Sequence, residues 1–244
     1  MLQELQRYYI DNGILSTTFS CRFRGDCQGD CETFTGPKSA FVSSGYAEHE
    51  YPRLLFLSLD SGSGDPIAEN RLPVAVRRHE EWERDFESLH KHKHWYRTHE
   101  LAWYVLRQFH PRLKIGEARR FFAHANSAKC CMNKKQRKKA DKKLFANCRG
   151  YLQGELRILD PDIFITQGNE AKFAFSSMVQ NAPDRVDDFA SVVTFNQKPI
   201  FWLHTYHPNN WGAFNKQRDF DEARNVAVGW SRYASMIHSF MTDR

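Results

Sequence analysis

Four short runs of apolar residues stand out along the chain and predict buried β-strands. They occupy residues 53–58 (RLLFLS), 121–125 (FFAHA), 162–166 (DIFIT) and 200–204 (IFWLH). Their apolar character is nearly continuous, which is typical of parallel strands that are covered on both faces. Between and after the runs, apolar residues recur every three or four positions. This spacing predicts helices over 94–109, 140–159, 169–178 and 219–240.

The alternation of strands and helices indicates an α/β fold that is built from βαβ units. We therefore expect a single domain over 1–244, a three-layer α/β/α sandwich with a central, mainly parallel four-stranded sheet. In open sheets of this kind, ligands bind beyond the carboxyl ends of the strands. The residues that directly follow the apolar runs are thus the first candidates for a functional site.

Segment 17–50 does not fit this pattern, because it is rich in Gly, Ser and Thr and has little periodicity. Loose loops of that length are uncommon in compact domains, so we expect it to be tied to the body of the protein. It contains Cys21, Cys27 and Cys31, and three further cysteines follow at 130, 131 and 148. In an intracellular chain such cysteines are typically metal ligands, catalysts or core residues.

Composition and charge indicate which class of partner and which cellular compartment to expect. The formal charge is +6 at pH 7, which suits a polyanion such as DNA, although many basic proteins never bind nucleic acid. No stretch approaches the ~20 apolar residues of a membrane span, and the first residues lack the pattern of a signal peptide. We expect a cytoplasmic protein with no membrane contact and no obligate protein partner.

Polar residues follow three of the apolar runs. Asp60 stands after the first run, before the small residues Ser61 and Gly62, and either faces a ligand or caps a helix. Asn126 follows the second run and either reads a polar ligand or forms a turn. His207 follows the fourth run and precedes a proline, in either a catalytic or a structural role.

Together these strand ends resemble the uracil-DNA glycosylase superfamily, and its iron–sulfur branch in particular. Residues 126–130 (NSAKC) match the N-x-x-K-C motif of that branch in full. Weaker similarities follow in the same order along the chain, at 148–152 (CRGYL), 159–163 (LDPDI), 167–171 (QGNEA) and 207–208 (HP). The first motif, G-E-x-P-G, departs, since 58–62 (SLDSG) keeps only the final Gly. Asp60 nevertheless stands where the classical uracil enzymes, with G-Q-D-P-Y, have their catalytic Asp.

The resemblance implies a DNA glycosylase that flips a base out of the duplex and hydrolyses its N-glycosidic bond. Asp60 would orient water and stabilise the oxocarbenium-like sugar, and His207 would donate a hydrogen bond to the departing base. Asn126, with Ser61 and Gly62, would bind the base. Trp211 or Phe214 would fill the gap in the base stack, unless they pack beneath their loop. Trp95 or Tyr96 would stack on the flipped base.

The resemblance also implies a 4Fe–4S cluster. Its expected ligands are Cys27, Cys31, Cys130 and Cys148, with Cys21 as the substitute for one of the first pair, and zinc on the same thiolates is the rival. The cluster would tie segment 17–50 to the body. Between the last two cysteines lies a basic run that we expect to contact DNA phosphates, with Lys134, Lys135, Arg137 and Lys138. For the patch of His90, His92, His94 and His99 we expect a helix surface or a phosphate-facing edge.

The substrate and the function stay open at this stage. Uracil is the default base of the superfamily, but the small residues of the first motif leave room for a substituent at C5 of a pyrimidine. Members of the superfamily serve in bacterial defence by removing glucosylated hydroxymethylcytosine from phage DNA, and such a base would fit. The alternatives are a non-catalytic iron–sulfur protein that binds nucleic acid and a nucleotide-binding or redox iron–sulfur protein.

Overall fold

The computed structural model describes residues 1–15, 19–32, 34–60, 64–90, 93–131, 141–218 and 229–244, without the side chains of Asp60 and Trp211. Within these ranges seven strands form one mixed sheet. They are β1 (Phe41–Val42), β2 (Leu54–Asp60), β3 (Phe122–Ala128), β4 (Ile163–Gln167), β5 (Asp184–Arg185), β6 (Ala190–Phe195) and β7 (Lys198–Thr205). Their order across the sheet is β1-β3-β2-β4-β7-β6-β5.

The four predicted strands correspond to β2, β3, β4 and β7, which lie side by side and run parallel. The α/β fold with a mainly parallel central sheet is therefore confirmed. The expected number of four strands is wrong, because β1, β5 and β6 add antiparallel pairs at the two edges. Two of these strands have only two residues each, too few for a pattern. The turn from β6 to β7 uses Asn196 and Gln197 at positive φ, without the glycine that usually marks such hairpins.

Helices cover both faces of the sheet. The first face packs against α1 (Leu2–Asp11), α6 (Lys142–Leu159) and α7 (Asn169–Ser176), and the second against α5 (His94–Leu106) and α9 (Trp230–Thr242). The shorter helices are α2 (Arg24–Gln28), α3 (Ser44–Glu48), α4 (Pro73–Arg78) and α8 (Trp211–Arg218). The predicted helix over 219–240 overlaps α9, and its first ten residues lie outside the described ranges.

Segment 17–50 is partly regular in its described residues, since it contains α2, β1 and α3. The backbone N–H of Thr35 donates to Cys131 Sγ at 3.0 Å, and the N–H of Lys38 donates to the carbonyl of Lys129 at 2.9 Å. These two contacts attach the segment to the residues that follow β3. Among the helices that the structure describes, none is long and apolar enough to cross a membrane.

Candidate active site

The carboxyl ends of the parallel strands present polar residues on the sheet face that α5 covers. Ser58 on β2 is in register with Asn126 on β3, and Gln167 on β4 is in register with Thr205 on β7. Registered residues of parallel strands point to the same face, so these four side chains form a polar row. The row stands where the apolar packing of β2, β3 and β4 ends.

Asn126 carries an amide with no hydrogen bond within the part of the chain that the structure describes. Its exposed fraction is only 8%. Buried amides almost always have partners, because leaving a donor or acceptor unpaired costs free energy. An unpaired amide at a strand end is therefore suited to bind a polar ligand edge.

His207 is held on two sides. The backbone N–H of Asn209 donates to its Nδ1 at 3.2 Å. Gly168 lies behind it, and a Cβ at that position would come within 3.2 Å of His207 Cβ, so only a glycine, here with φ of +94°, fits closely. Burial lowers the pKa of His207 to about 4. At neutral pH the ring is thus uncharged, and because Nδ1 accepts a hydrogen bond, its proton sits on Nε2.

A cluster of buried polar side chains lies beside these residues, and sequence reasoning missed it. Ser58 Oγ donates to Gln167 Oε1 at 2.6 Å and lies 2.8 Å from His124 Nε2 and 3.2 Å from His94 Nε2. The ring of His94 stacks on that of His207, with centroids 5.1 Å apart and planes at 21°. His124 could have signalled this cluster, since it interrupts an apolar run.

The expectation of a surface histidine patch is wrong for His99, which is buried, whereas His94 is half-buried. Burial is the main cause that lowers the pKa of His94 and of His99 to about 3. His99 is 1% exposed and packs against Trp95 and Phe122. His99 lies on the buried face of α5 with Leu101, Ala102 and Leu106, which residue type alone did not reveal.

Asp60 ends β2, with its backbone in register with Ala128 of β3. This places its backbone at the same edge of the sheet as Asn126. Its side chain is not described, and Ser61 and Gly62 lie outside the described residues. Of the three predicted catalytic and base-reading residues, Asn126 and His207 thus have described side chains. Asn126 is in register with Ser58, and His207 stacks on His94, which contacts Ser58.

Four cysteines line one small cavity between segment 17–50 and α6, namely Cys21, Cys27, Cys130 and Cys148. Cys31 does not line it, so the structure brings Cys21 into the place expected for Cys31. Burial raises the pKa of Cys148 to about 11, and burial, together with the neighbouring thiols, raises the pKa of Cys130 well above its usual value. In the described ranges, no group of three or more His, Cys, Asp or Glu side chains is arranged to hold a single metal ion.

Phe214 is not a wedge that could enter DNA, and this expectation is wrong. It is 0% exposed and packs edge-on against Trp230, with centroids 4.8 Å apart. The side chain of Trp211, the other candidate, is not described. Of the two proposed stacking residues, Trp95 packs against His124, and Tyr96 stacks on Phe86. The basic residues Lys134, Lys135, Arg137 and Lys138 lie outside the described residues.

One comparison with known proteins identifies the family of this chain. Residues 77–227, more than half of the chain, match the model of the uracil DNA glycosylase superfamily. A comparison with curated proteins gave no significant match. Members of the superfamily are generally DNA glycosylases, hydrolases of N-glycosyl bonds that act on damaged or modified bases. Its polar strand ends and its matched residues together make this chain a member of the uracil DNA glycosylase superfamily.

Proposed function

We propose that this protein removes a pyrimidine with a substituent at C5 from DNA and leaves an abasic site. Glucosylated hydroxymethylcytosine in phage DNA is the example that we favour, and uracil is the simplest alternative. The observation that carries the proposal is that two suitable groups occur at the carboxyl ends of the parallel strands. One is the amide of Asn126, which has no partner among the described residues, and the other is the neutral imidazole of His207, which can donate a hydrogen bond.

In the proposed reaction, the oxygen of a water molecule bonds to C1′ of deoxyribose as the bond from C1′ to the base nitrogen breaks. The proton that the water loses ends on the base after the base has left, so the products are the free base and a 1′-hydroxyl. The bonding electrons leave with the base, so negative charge collects on its oxygen. His207 donates from Nε2 to that oxygen, and as a neutral donor it leaves the base anionic. Removing one such donor typically lowers the rate ~100- to ~1,000-fold.

Asn126 binds the edge of the flipped pyrimidine. Its amide has one acceptor and two donors, so it can pair with the C4 oxygen of uracil or, when turned, with the amino group of cytosine. Asp60 is proposed to orient the water and to stabilise the positive charge on the sugar. The position of its backbone at the end of β2, in register with Ala128, supports that role.

A group at C5 is proposed to enter a cleft that borders Gly64, two residues after the first motif. It has a volume of about 620 Å³ and is lined by Gly64, Asp65, Asn70, Arg78 and Arg84, among others. A Cβ at Gly64 would come within 1.7 Å of Thr35 Oγ1, so the chain after the first motif is packed closely against segment 17–50. The volume falls within the ~300–1,000 Å³ of pockets for small organic groups, and the polar lining suits a sugar.

A 4Fe–4S cluster is proposed on Cys21, Cys27, Cys130 and Cys148. Their common cavity supports this set over one with Cys31. A zinc ion needs each sulfur about 2.3 Å from a single point. A four-iron cluster binds each thiolate at a different corner, so the thiols stand further apart. Its role would be to tie segment 17–50 to α6, since metal binding contributes folding free energy.

A panel of DNA strands tests the function. Duplexes and single strands that carry uracil, hydroxymethyluracil, hydroxymethylcytosine or its glucosylated form are incubated with protein and cleaved with alkali at abasic sites. We expect cleavage of at least one 5-substituted strand and a strong loss of cleavage in His207→Ala and Asn126→Ala. The control is His110→Ala, which changes a histidine just beyond the far end of α5 and should cleave as wild type does. Intact strands throughout, with tight salt-sensitive DNA binding, would instead favour the non-catalytic alternative.

A further inference from the structure

The cluster around Ser58 contains a histidine for which the proposed reaction has no use. His94 is the first residue of α5, and its ring faces that of His207 at 5.1 Å between centroids. Planes that differ by only 21° leave the two rings in a stacked arrangement. The question is what a second buried imidazole contributes beside the proposed donor.

The position of His94 is determined by Ser58. A hydroxyl has one proton, and Ser58 donates it to Gln167 Oε1. Ser58 Oγ must then accept from the Nε2–H groups of both His94 and His124. Thr98 Oγ1 lies 3.2 Å from Gln167 Oε1 and 3.1 Å from the carbonyl of His94, so it contacts both residues. His94 thus stands on a support drawn from β2, β3 and β4, the strands that carry the site.

His207 lacks such support from the strands. It lies in the loop after β7, and its hydrogen bond comes from Asn209 in the same loop. Gly168 limits its movement on one side. The ring of His94 is the rigid surface that the described residues offer to its aromatic face. Without it, rotation of the His207 side chain would carry Nε2 away from the base.

We propose that His94 is a positioning residue, which transfers the rigidity of the Ser58 support to His207 and holds its Nε2–H in the direction of the base. The proposal rests on the proposed function only for the identity of the acceptor. The stacking and the hydrogen bonds of Ser58 exist independently of substrate. A displacement of about 1 Å can lower a rate ~100-fold, so such positioning would be visible in kcat.

The first test does not depend on substrate. Long-range proton–nitrogen NMR spectra of ¹⁵N-labelled protein report the tautomer and the titration of each imidazole. In wild type we expect His207 to show one tautomer, with the proton on Nε2. In His94→Ala we expect both tautomers and a His207 pKa that moves up toward its ordinary value. His94→Phe keeps an aromatic face but loses the hydrogen bond to Ser58, so we expect it to keep the single tautomer only in part. An unchanged His207 in His94→Ala would overturn the proposal.

The matched control is His110→Ala, because His110 stacks on Tyr51 with centroids 5.8 Å apart and planes at 22°. It should leave the His207 signals unchanged. Where His94→Ala does not fold, His94→Leu fills the space without an aromatic face and should give the same loss of the single tautomer. Retention of the single tautomer in that variant would equally overturn the proposal.

The second test uses a strand that wild type cleaves. We expect His94→Ala to lower kcat ~10- to ~100-fold with little change in KM. His94→Phe, which keeps the ring face without the hydrogen bond to Ser58, should fall between His94→Ala and wild type. In a His207→Ala background, the His94→Ala change should have no further effect. Additive losses would show that His94 acts apart from His207 and would overturn the proposal. Absence of any cleavage by wild type would refute the proposed function alone and leave the NMR result decisive.

Discussion

Lys129 and Glu155 form an ion pair in the interior, with Lys129 Nζ 2.6 Å from Glu155 Oε2 and both side chains 1% exposed. The hydroxyl of Tyr9 donates to the same carboxylate and accepts from the backbone N–H of Ala40. Lys129 is the lysine of the matched N-x-x-K-C motif. Its ammonium group is therefore turned into the protein, where it joins β3 to α6 and, through Tyr9, to α1.

Removing one partner of this pair should destabilise the fold strongly. Lys129→Met leaves a buried carboxylate without its cation, and we expect the free energy of unfolding to fall by about 3–5 kcal/mol. Urea denaturation followed by circular dichroism measures this change. Lys129→Met combined with Glu155→Leu should cost less than the sum of the single changes. As a control, Lys143→Met breaks the exposed pair with Asp26 and should leave the urea midpoint unchanged. Equal midpoints for both lysine variants would contradict the prediction.

The cysteine variants separate the two candidate ligand sets. We expect Cys21→Ser to lose the iron and the visible absorbance of the purified protein, since Cys21 lines the common cavity. Cys31→Ser is the matched control from the same segment and should keep both. Iron, sulfide and zinc are determined on each preparation under anaerobic conditions. Loss of iron in Cys31→Ser with retention in Cys21→Ser would refute the assignment, and stoichiometric zinc without iron in wild type would refute the cluster.

The buried histidines predict a loss of stability in mild acid. The pKa values of His94 and His99 are about 3 in the folded protein, against about 6.5 for an unperturbed histidine. Between these values the unfolded chain binds more protons, so the free energy of unfolding falls as pH falls, by about 1.4 kcal/mol per pH unit for each group. Urea midpoints at pH 7, 6 and 5 measure how steeply the free energy of unfolding depends on pH. In His99→Phe one proton fewer is taken up on unfolding, so this dependence should be less steep. A stability that is constant from pH 7 to pH 5 would argue against neutral buried imidazoles.

Asn126→Asp tests how the base is read. An ionised carboxylate only accepts hydrogen bonds, whereas the amide can also donate. The variant should therefore lose kcat/KM on bases with oxygen at C4 by ~10- to ~100-fold, about the effect of a lost buried hydrogen bond. Bases with an amino group at C4 should be affected less. Steady-state rates on matched uracil-type and cytosine-type strands give the ratio. Equal losses on both would mean that Asn126 does not contact the C4 group.

The salt dependence of binding tests the basic run. Phosphate contacts release counterions, so log K falls linearly with log salt, with a slope of about −0.9 per neutralised phosphate on duplex DNA. Replacing Lys134, Lys135, Arg137 and Lys138 with Ala should weaken binding on all sequences alike and flatten the slope. Fluorescence anisotropy at several salt concentrations measures both. A slope equal to that of wild type would show that the run does not contact phosphates.

The order of apolar runs along the chain was enough to determine the four parallel strands and the class of fold. A buried parallel strand must be apolar on both faces, so its signal is local and strong. The rule that ligands bind at the carboxyl ends of such strands then identified Asn126 and His207 as candidates without coordinates. The short edge strands gave no such signal, because pairs of two residues obtain their hydrogen bonds from a neighbour that is already formed.

Tertiary structure alone decided which distant side chains meet. The sequence left Cys31 as the expected ligand and Cys21 as its substitute, and only the path of segment 17–50 brings Cys21 to the cavity of Cys130 and Cys148. Phe214 has an aromatic side chain that could in principle insert into DNA, but it is buried because it packs against Trp230. Ser58 ends an apolar run without distinction, and it becomes the hydrogen-bonding centre for His94 and His124 because three strands and α5 converge there. Local patterns record which surface each element must bury, whereas the partners within that surface depend on contacts between residues far apart in the chain.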